Sequence, residues 1–329
     1  MRAVGYLRAL PITEDEALLD LELPVPDPEP LDLIVRVRAA SVNPVDAKQR
    51  LKSGDFSEPR VLGYDAAGVV ERVGADVTGF APGDEVYYSG DVTRQGSNSE
   101  LQAVDSRIVA HKPASLSFTE AAALPLTTIT AWEGLFDRLK VDTSPGATLL
   151  VLGGGGGVAS VVIQLAKQLT SLTVIGTASR PETREWVARL GADHIVDHSR
   201  PLADQVLAIV PDGVEYVFSA YTVGLEDELA RLMKPESDLV MIDSGLDSVS
   251  LRTKSIAVHW EWMFTRPYFR TASMVKQGEL LKEVAQLVDA GEVITTASRV
   301  LHGLSADTVR EAHRLIEAGG TIGKIVIEY

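Results

Sequence analysis

Apolar and polar positions follow two rhythms along the chain. Up to about residue 122 the rhythm is short. In Leu33–Ala39, Leu33, Val35, Val37 and Ala39 fall on one face, with Arg36 and Arg38 on the other. That is the period-2 alternation of a half-buried strand, broken only by Ile34. Gly68–Val73 and Glu85–Tyr88 read as further strands, with a turn at Pro82-Gly83-Asp84 and a rigid proline-rich connector over 24–30. From about residue 123 the rhythm lengthens. Apolar runs at 147–152, 172–177, 195–196, 214–218 and 239–242 alternate with helical stretches at 158–169, 181–190, 202–209 and 224–233. Such alternation predicts a parallel sheet with helices on both faces, joined by right-handed crossovers. A helix over 278–290 follows. The tail returns to short strands around a last helix, Ala306–Ala318, and ends in Ile325–Tyr329. The expected fold is α/β. A discontinuous β-rich domain takes 1–122 and 293–329, and a doubly wound domain takes 123–292.

The run Gly153-Gly154-Gly155-Gly156-Gly157-Val158 lies between the strand at 147–152 and the helix that follows. Glycines let a backbone approach a pyrophosphate, and a helix N-terminus offers unpaired N–H groups with a partial positive charge. Gly154, Gly156 and Ala159 meet the spacing G-x-G-x-x-G/A. Strand, glycine turn and helix in that order make Gly153, Gly154, Gly156, Gly157 and Val158 a candidate dinucleotide cradle. The end of the next strand decides between the two pyridine dinucleotides. An enzyme for the unphosphorylated cofactor places Asp or Glu there to hold the ribose 2′-hydroxyl. Here the segment is Gly176-Thr177-Ala178-Ser179-Arg180-Pro181, without an acid before Glu182. Thr177, Ser179 and Arg180 therefore point to NADPH, with Ser179 and Arg180 facing a 2′-phosphate. The bland alternative is a helix cap at Ser179 and a solvated arginine.

Composition narrows the chemistry. A net charge of −15 over 329 residues argues against nucleic acid or an anionic membrane as the partner. No apolar run approaches the roughly 18 residues of a membrane span, and the N-terminus lacks the apolar stretch of a signal peptide, so the cytoplasm is the expected location. The chain has no cysteine, which removes disulfides, thiol nucleophiles and thiolate-bound metals. Of the six histidines only His194 and His198 are four apart, at a strand end and loop, so a histidine zinc site is not expected.

Several segments together resemble a known family. Ser41-Val42-Asn43-Pro44-Val45-Asp46, Val61-Leu62-Gly63-Tyr64-Asp65-Ala66-Ala67-Gly68, Pro82-Gly83-Asp84-Glu85-Val86, Leu124-Pro125-Leu126-Thr127, Gly191-Ala192-Asp193 and Gly323-Lys324-Ile325-Val326 are similar to medium-chain dehydrogenases/reductases. The likeness is to the quinone oxidoreductase branch, including zinc-type alcohol dehydrogenase-like proteins. It implies a GroES-like catalytic domain plus a Rossmann domain, and NADPH-dependent reduction of a quinone, enone or alkenal. In the zinc branch, a cysteine and a histidine stand where this chain has Asn43 and Tyr64, and the four-cysteine lobe after Val86 is absent. The resemblance thus implies zinc-independent chemistry. Without a Lewis acid, alcohol oxidation loses several kcal/mol of transition-state help, whereas a conjugated acceptor delocalises its developing charge.

The resemblance also assigns roles. Asn43 would place an amide near the nicotinamide ribose and substrate carbonyl, against its plain reading as a turn starter before Pro44. Tyr64 would occupy the vacant metal position and orient or protonate the substrate oxygen, against plain packing. Thr128 would contact the nicotinamide, His198 the 2′-phosphate, and Lys324 either the cofactor or solvent. Asp46 and Asp65 are expected to hold loops rather than transfer protons. A homodimer through the apolar segment 256–260 is expected. The rival readings are a non-catalytic NADPH-binding or structural protein on the same fold and, less favoured, a zinc alcohol dehydrogenase.

Overall fold

In the computed structural model, residues 1–52, 55–142, 146–247 and 249–329 are described. The chain divides into two compact units, Met1–Ile129 with Phe264–Tyr329, and Thr130–Met263. The β-rich unit is discontinuous and takes in the chain from Phe264 onward; the helix Val275–Asp289 packs on the strand Val109–His111 and the turn that precedes it.

The first unit carries β1 (Arg2–Arg8), β2 (Leu19–Glu22), β3 (Asp32–Val42), β4 (Asp55–Val61), β5 (Asp65–Val73), β6 (Glu85–Ser89), β7 (Leu101–Asp105) and β8 (Val109–His111). Helices α1 (Pro44–Leu51), α2 (Phe118–Ala122) and the start of α3 (Pro125–Trp132) belong to the same stretch. The second unit holds β9 (Thr148–Val151), α4 (Gly157–Leu169), β10 (Thr173–Thr177), α5 (Pro181–Arg189), β11 (His194–Val196), α6 (Leu202–Ile209) and β12 (Val214–Ser219). It continues through α7 (Glu226–Leu232), β13 (Met233–Met241), α8 (Val249–Arg252) and β14 (Ala257–Trp260). The chain then returns to the first unit with α9 (Thr265–Tyr268), α10 (Val275–Asp289), β15 (Ala297–His302), α11 (Ala306–Ala318) and β16 (Lys324–Glu328).

In the first unit, β3 is the organising strand. It pairs antiparallel with β5, β7 and β16. Its alternation is strict only at Arg36 and Arg38, the two exposed positions; Ile34 breaks the pattern because it is buried too. A core of Leu33, Val35, Val37, Val70, Val86 and Ile108 lies against it. Each such side chain contributes about 1.5–3 kcal/mol on burial. A separate three-stranded sheet runs β2-β1-β4.

The second unit is a six-stranded sheet of order β11-β10-β9-β12-β13-β14, with every pair parallel. The order reverses between β9 and β12, where α/β sheets of this kind open a crevice at the carboxyl ends of the strands. Strand β13 begins at Met233 rather than near 239. Its first residue already pairs with Val214, before a bulge that the apolar pattern does not register.

Candidate functional site

At the crevice of the second unit, β9 gives way to the glycine bend and then to α4. Gly153 has φ +77°, a left-handed conformation that favours glycine. A Cβ on Gly154 would lie 2.8 Å from the Thr177 carbonyl oxygen and 2.9 Å from Val187 Cγ2, so no larger residue fits there without moving backbone. Gly156 caps α4, and Gly157 is its first helical residue. The amides of Gly157, Val158 and Ala159 form the first turn and have no partner among the described residues. A backbone crease that side chains would fill, backed by open helix amides, fits a dinucleotide pyrophosphate.

Thr177 holds the bend. Its hydroxyl accepts a hydrogen bond from Gly153 N–H at 2.9 Å, and its carbonyl accepts one from Gly154 N–H at 3.1 Å. Buried at the end of β10, it fixes the shape of the crease while its hydroxyl proton stays available to a ligand. Arg180, not Ser179, is the cap of α5, and its side chain makes no capping hydrogen bond to the helix backbone. The Ser179 hydroxyl instead meets His198 Nε2 at 3.3 Å. Arg180 is exposed, with Glu182 at 3.5 Å. Parallel pairing of Thr177 with Val196 aligns the ends of β10 and β11, which is why residues nineteen apart converge.

In the first unit, Asn43, Asp65 and Lys324 are brought together by strand register. Ser41 lies opposite Asp65, and Val42 opposite Ile325. Asp65 Oδ2 accepts from Ser41 Oγ at 2.8 Å, Asn43 Nδ2 at 2.8 Å and Lys324 Nζ at 3.0 Å. Its other oxygen accepts from Leu126 N–H at 2.6 Å. Lys324 Nζ also donates to the Val42 carbonyl at 3.1 Å and to Asn43 Oδ1. All three side chains are buried.

Lys324 is therefore neither a cofactor contact nor a surface lysine: its three donors are spent inside the unit. The Asn43 amide is likewise engaged at both ends, its oxygen by Lys324 and its nitrogen by Asp65. It anchors the site and does not reach out to a ribose or carbonyl.

Asn43 caps α1, with Pro44 in the first turn. Asp46 reaches back to accept from Asn43 N–H at 2.7 Å and from Gly63 N–H at 3.0 Å. Burial pushes its carboxyl up to about 7, against the pull of those two amides and of Lys324. Asp46 and Asp65 thus hold loops.

Tyr64 is buried, its ring edge-on to Phe264 at 5.2 Å, and its hydroxyl makes no hydrogen bond among the described residues. Burial, reinforced by the Asp46 carboxylate, raises its ionisation far above the ordinary phenol range, so it stays an O–H donor. Thr128 Oγ1 is buried without a partner among the described residues. Such an orphaned hydroxyl fits a polar ligand group that completes it.

Zinc does not fit at Asn43 and Tyr64. Those positions offer an amide and a phenol held in O–H form, and the Lys324 ammonium already sits on Asn43 Oδ1 and Asp65 Oδ2. A dication beside that ammonium would be strongly repelled.

Two features escape the linear reading. Tyr221, exposed beyond β12, lies against Gly153, where a Cβ would come 3.2 Å from its ring. Only the adjacency of β9 and β12 reveals it. The closed Asp65–Lys324 pair, 259 residues apart, leaves no periodic signal at all.

Similar proteins match nearly the whole length of the chain. Residues 29–129 match the alcohol dehydrogenase GroES-like domain, and 190–327 match the zinc-binding dehydrogenase family. A zinc-type alcohol dehydrogenase-like protein of Staphylococcus aureus is 41% identical, over 99% of each chain. The chloroplastic NADPH-dependent alkenal/one oxidoreductase of Arabidopsis thaliana is 32% identical over 90% of this chain and 71% of the relative. A Rhizobium etli crystal structure described as a zinc-dependent alcohol dehydrogenase is 49% identical, with a TM-score of 0.97, and covers 100% of this chain and 98% of its own.

Proposed function

We propose a function for a chain that belongs to the medium-chain dehydrogenase/reductase superfamily: zinc-independent, NADPH-dependent reduction of a quinone or an α,β-unsaturated carbonyl. Oxidoreductase fold and nicotinamide-cofactor binding come with the family. The finer reading rests above all on one observation. Ser179 and His198 meet at the end of β10 beside Arg180, with no acidic residue from Gly176 to Pro181. Donors at the strand end, with no carboxylate before Glu182 and that one set against Arg180 at 3.5 Å, suit a 2′-phosphate over a bare 2′-hydroxyl. The NADPH-dependent alkenal/one reductase among the relatives supports the same choice.

When bound, the reduced nicotinamide supplies the hydride, and one proton completes the reduction. The chain's own groups do the rest. The glycine bend and the first turn of α4 hold the pyrophosphate. Thr128 completes its orphaned hydroxyl on a polar group of the ligand. Tyr64, kept neutral by burial, donates a hydrogen bond to an acceptor oxygen as charge develops on it. Asn43, Asp65 and Lys324 act one layer back, as a rigid frame under Tyr64 and α1.

We read β14, an edge strand of the second unit with Trp260 exposed, as the self-pairing edge of a homodimer; a monomeric mass by light scattering would exclude that. Among the described residues no helix is long and apolar enough to cross a membrane. The activity itself is tested by following NADPH consumption with a panel of quinones, enones and alkenals. Turnover of a conjugated acceptor, with saturated ketones and simple aldehydes inert, supports the reading. Tight NADPH binding without turnover across the panel would favour a non-catalytic protein.

A further inference from the structure

A cavity of about 270 Å³ opens in the first unit beside Tyr64. Tyr6, Phe56 and Tyr64 supply aromatic walls, and the charged groups on its lining are Lys52, Arg60 and Arg94, with no Asp or Glu. In a chain of net charge −15 that is a local reversal of sign. Arg94 is already neutralised by a two-point contact with Asp32, at 2.8 and 2.6 Å. Lys52 and Arg60 have no carboxylate partner among the described residues. Arg60 lies opposite Tyr6 in the β1–β4 pairing, and its guanidinium stands 5.7 Å from the Phe56 ring centre. Tyr6 and Phe56 meet edge to face at 5.6 Å. An aromatic platform under an unneutralised guanidinium, beside the Tyr64 phenol that has no hydrogen-bond partner among the described residues, suits a flat conjugated molecule with an anionic end.

We propose that the acceptor is a conjugated carbonyl compound carrying a carboxylate, and that Arg60 is the residue that selects it. This rests on the reading of Tyr64 as the donor to the acceptor oxygen. Tyr64 holds the carbonyl, the aromatic walls hold the conjugated plane, and Arg60 forms a charge-assisted pair with the carboxylate. A neutral enone uses the first two contacts only.

The test compares 4-oxopent-2-enoate with its methyl ester, an acceptor of nearly the same shape without the charge, in the NADPH-loaded full chain. Arg60→Leu is expected to lower kcat/KM for the acid by about 10- to 100-fold, chiefly through KM, and to change the ester by less than about two-fold. Arg60→Lys should recover part of the loss. Equal losses on acid and ester, or no loss on either, would overturn the proposal. A separate arm titrates 4-oxopentanoate, which has no double bond to reduce, into the wild type and Arg60→Leu by calorimetry. If the wild type reduces neither of these acceptors nor any in the panel of quinones, enones and alkenals, the reductase reading fails. Binding of 4-oxopentanoate that is weakened in Arg60→Leu then sustains the carboxylate site, whereas binding that ignores the substitution, or none, overturns it as well.

Discussion

The crevice of the second unit and the buried cluster of the first solve the same problem, a fixed polar site, in opposite ways. The glycine bend is made of backbone. Its parts are consecutive in the chain, and its rigidity comes from Thr177 holding Gly153 and Gly154. The cluster around Asp65 is made of side chains from three separate segments and one backbone amide from a fourth, and its rigidity comes from buried charge. A backbone site leans on few side chains, here the Thr177 hydroxyl, and at Gly154 it has no room for a Cβ. A charge cluster tolerates neither loss nor imbalance.

The contrast is tested most severely by unbalancing the cluster. Lys324→Met leaves the Asp65 carboxylate buried without its cation, and should cost about 3–5 kcal/mol in urea unfolding. Combining it with Asp65→Leu should restore part of that stability, since an apolar pair avoids the buried charge. A double variant as unstable as the sum of the two single changes would mean that the pair is not coupled.

On the backbone side, Gly154→Val should abolish measurable dinucleotide binding, a loss of more than about 100-fold by calorimetry, because its side chain must displace the Thr177 carbonyl. Stability should fall by less than for Lys324→Met. Arg180→Ala is the milder probe. It should weaken NADPH by about 1.5–3 kcal/mol and leave NADH nearly unchanged. Equal losses for both cofactors would remove Arg180 from the 2′-phosphate.

The smallest expected effect concerns a histidine outside both sites. His313 on α11 is buried, and burial together with Arg50 pushes its ring down to about 3. The unfolded chain takes up a proton near 6.5 and the folded chain does not, so stability falls as pH drops from about 6.5 toward 3. At pH 5 the share from His313 is about 2 kcal/mol. His313→Leu should flatten that limb of the stability–pH curve, and an unchanged slope would refute it. Asp46 acts with the opposite sign. Its raised carboxyl contributes stability at low pH that is lost as pH rises from about 4 through about 7.

Legibility followed the same division. The glycine bend, the α4 start and the parallel sheet could all be read from local spacing and strand order, whereas His198 is reached through the family resemblance and meets Ser179 through the β10–β11 pairing. Gly154 declares itself because only glycine fits, and local sequence carries that. Lys324 could not be placed. A lysine reads as solvated, and only the β16–β3–β5 register shows that its ammonium ends on Asp65. The motif around Asn43 marks the residue but suggests an outward role, since a motif does not reveal which partners already occupy an amide.

The central claim is that this chain reduces its acceptor with NADPH and without zinc. The direct measurement is NADPH oxidation by protein exhaustively dialysed against a chelator, with a conjugated acceptor, before and after adding zinc. Full activity in the metal-stripped protein, unaffected by zinc, is the predicted result. Activity that disappears on chelation and returns with one equivalent of zinc would contradict it.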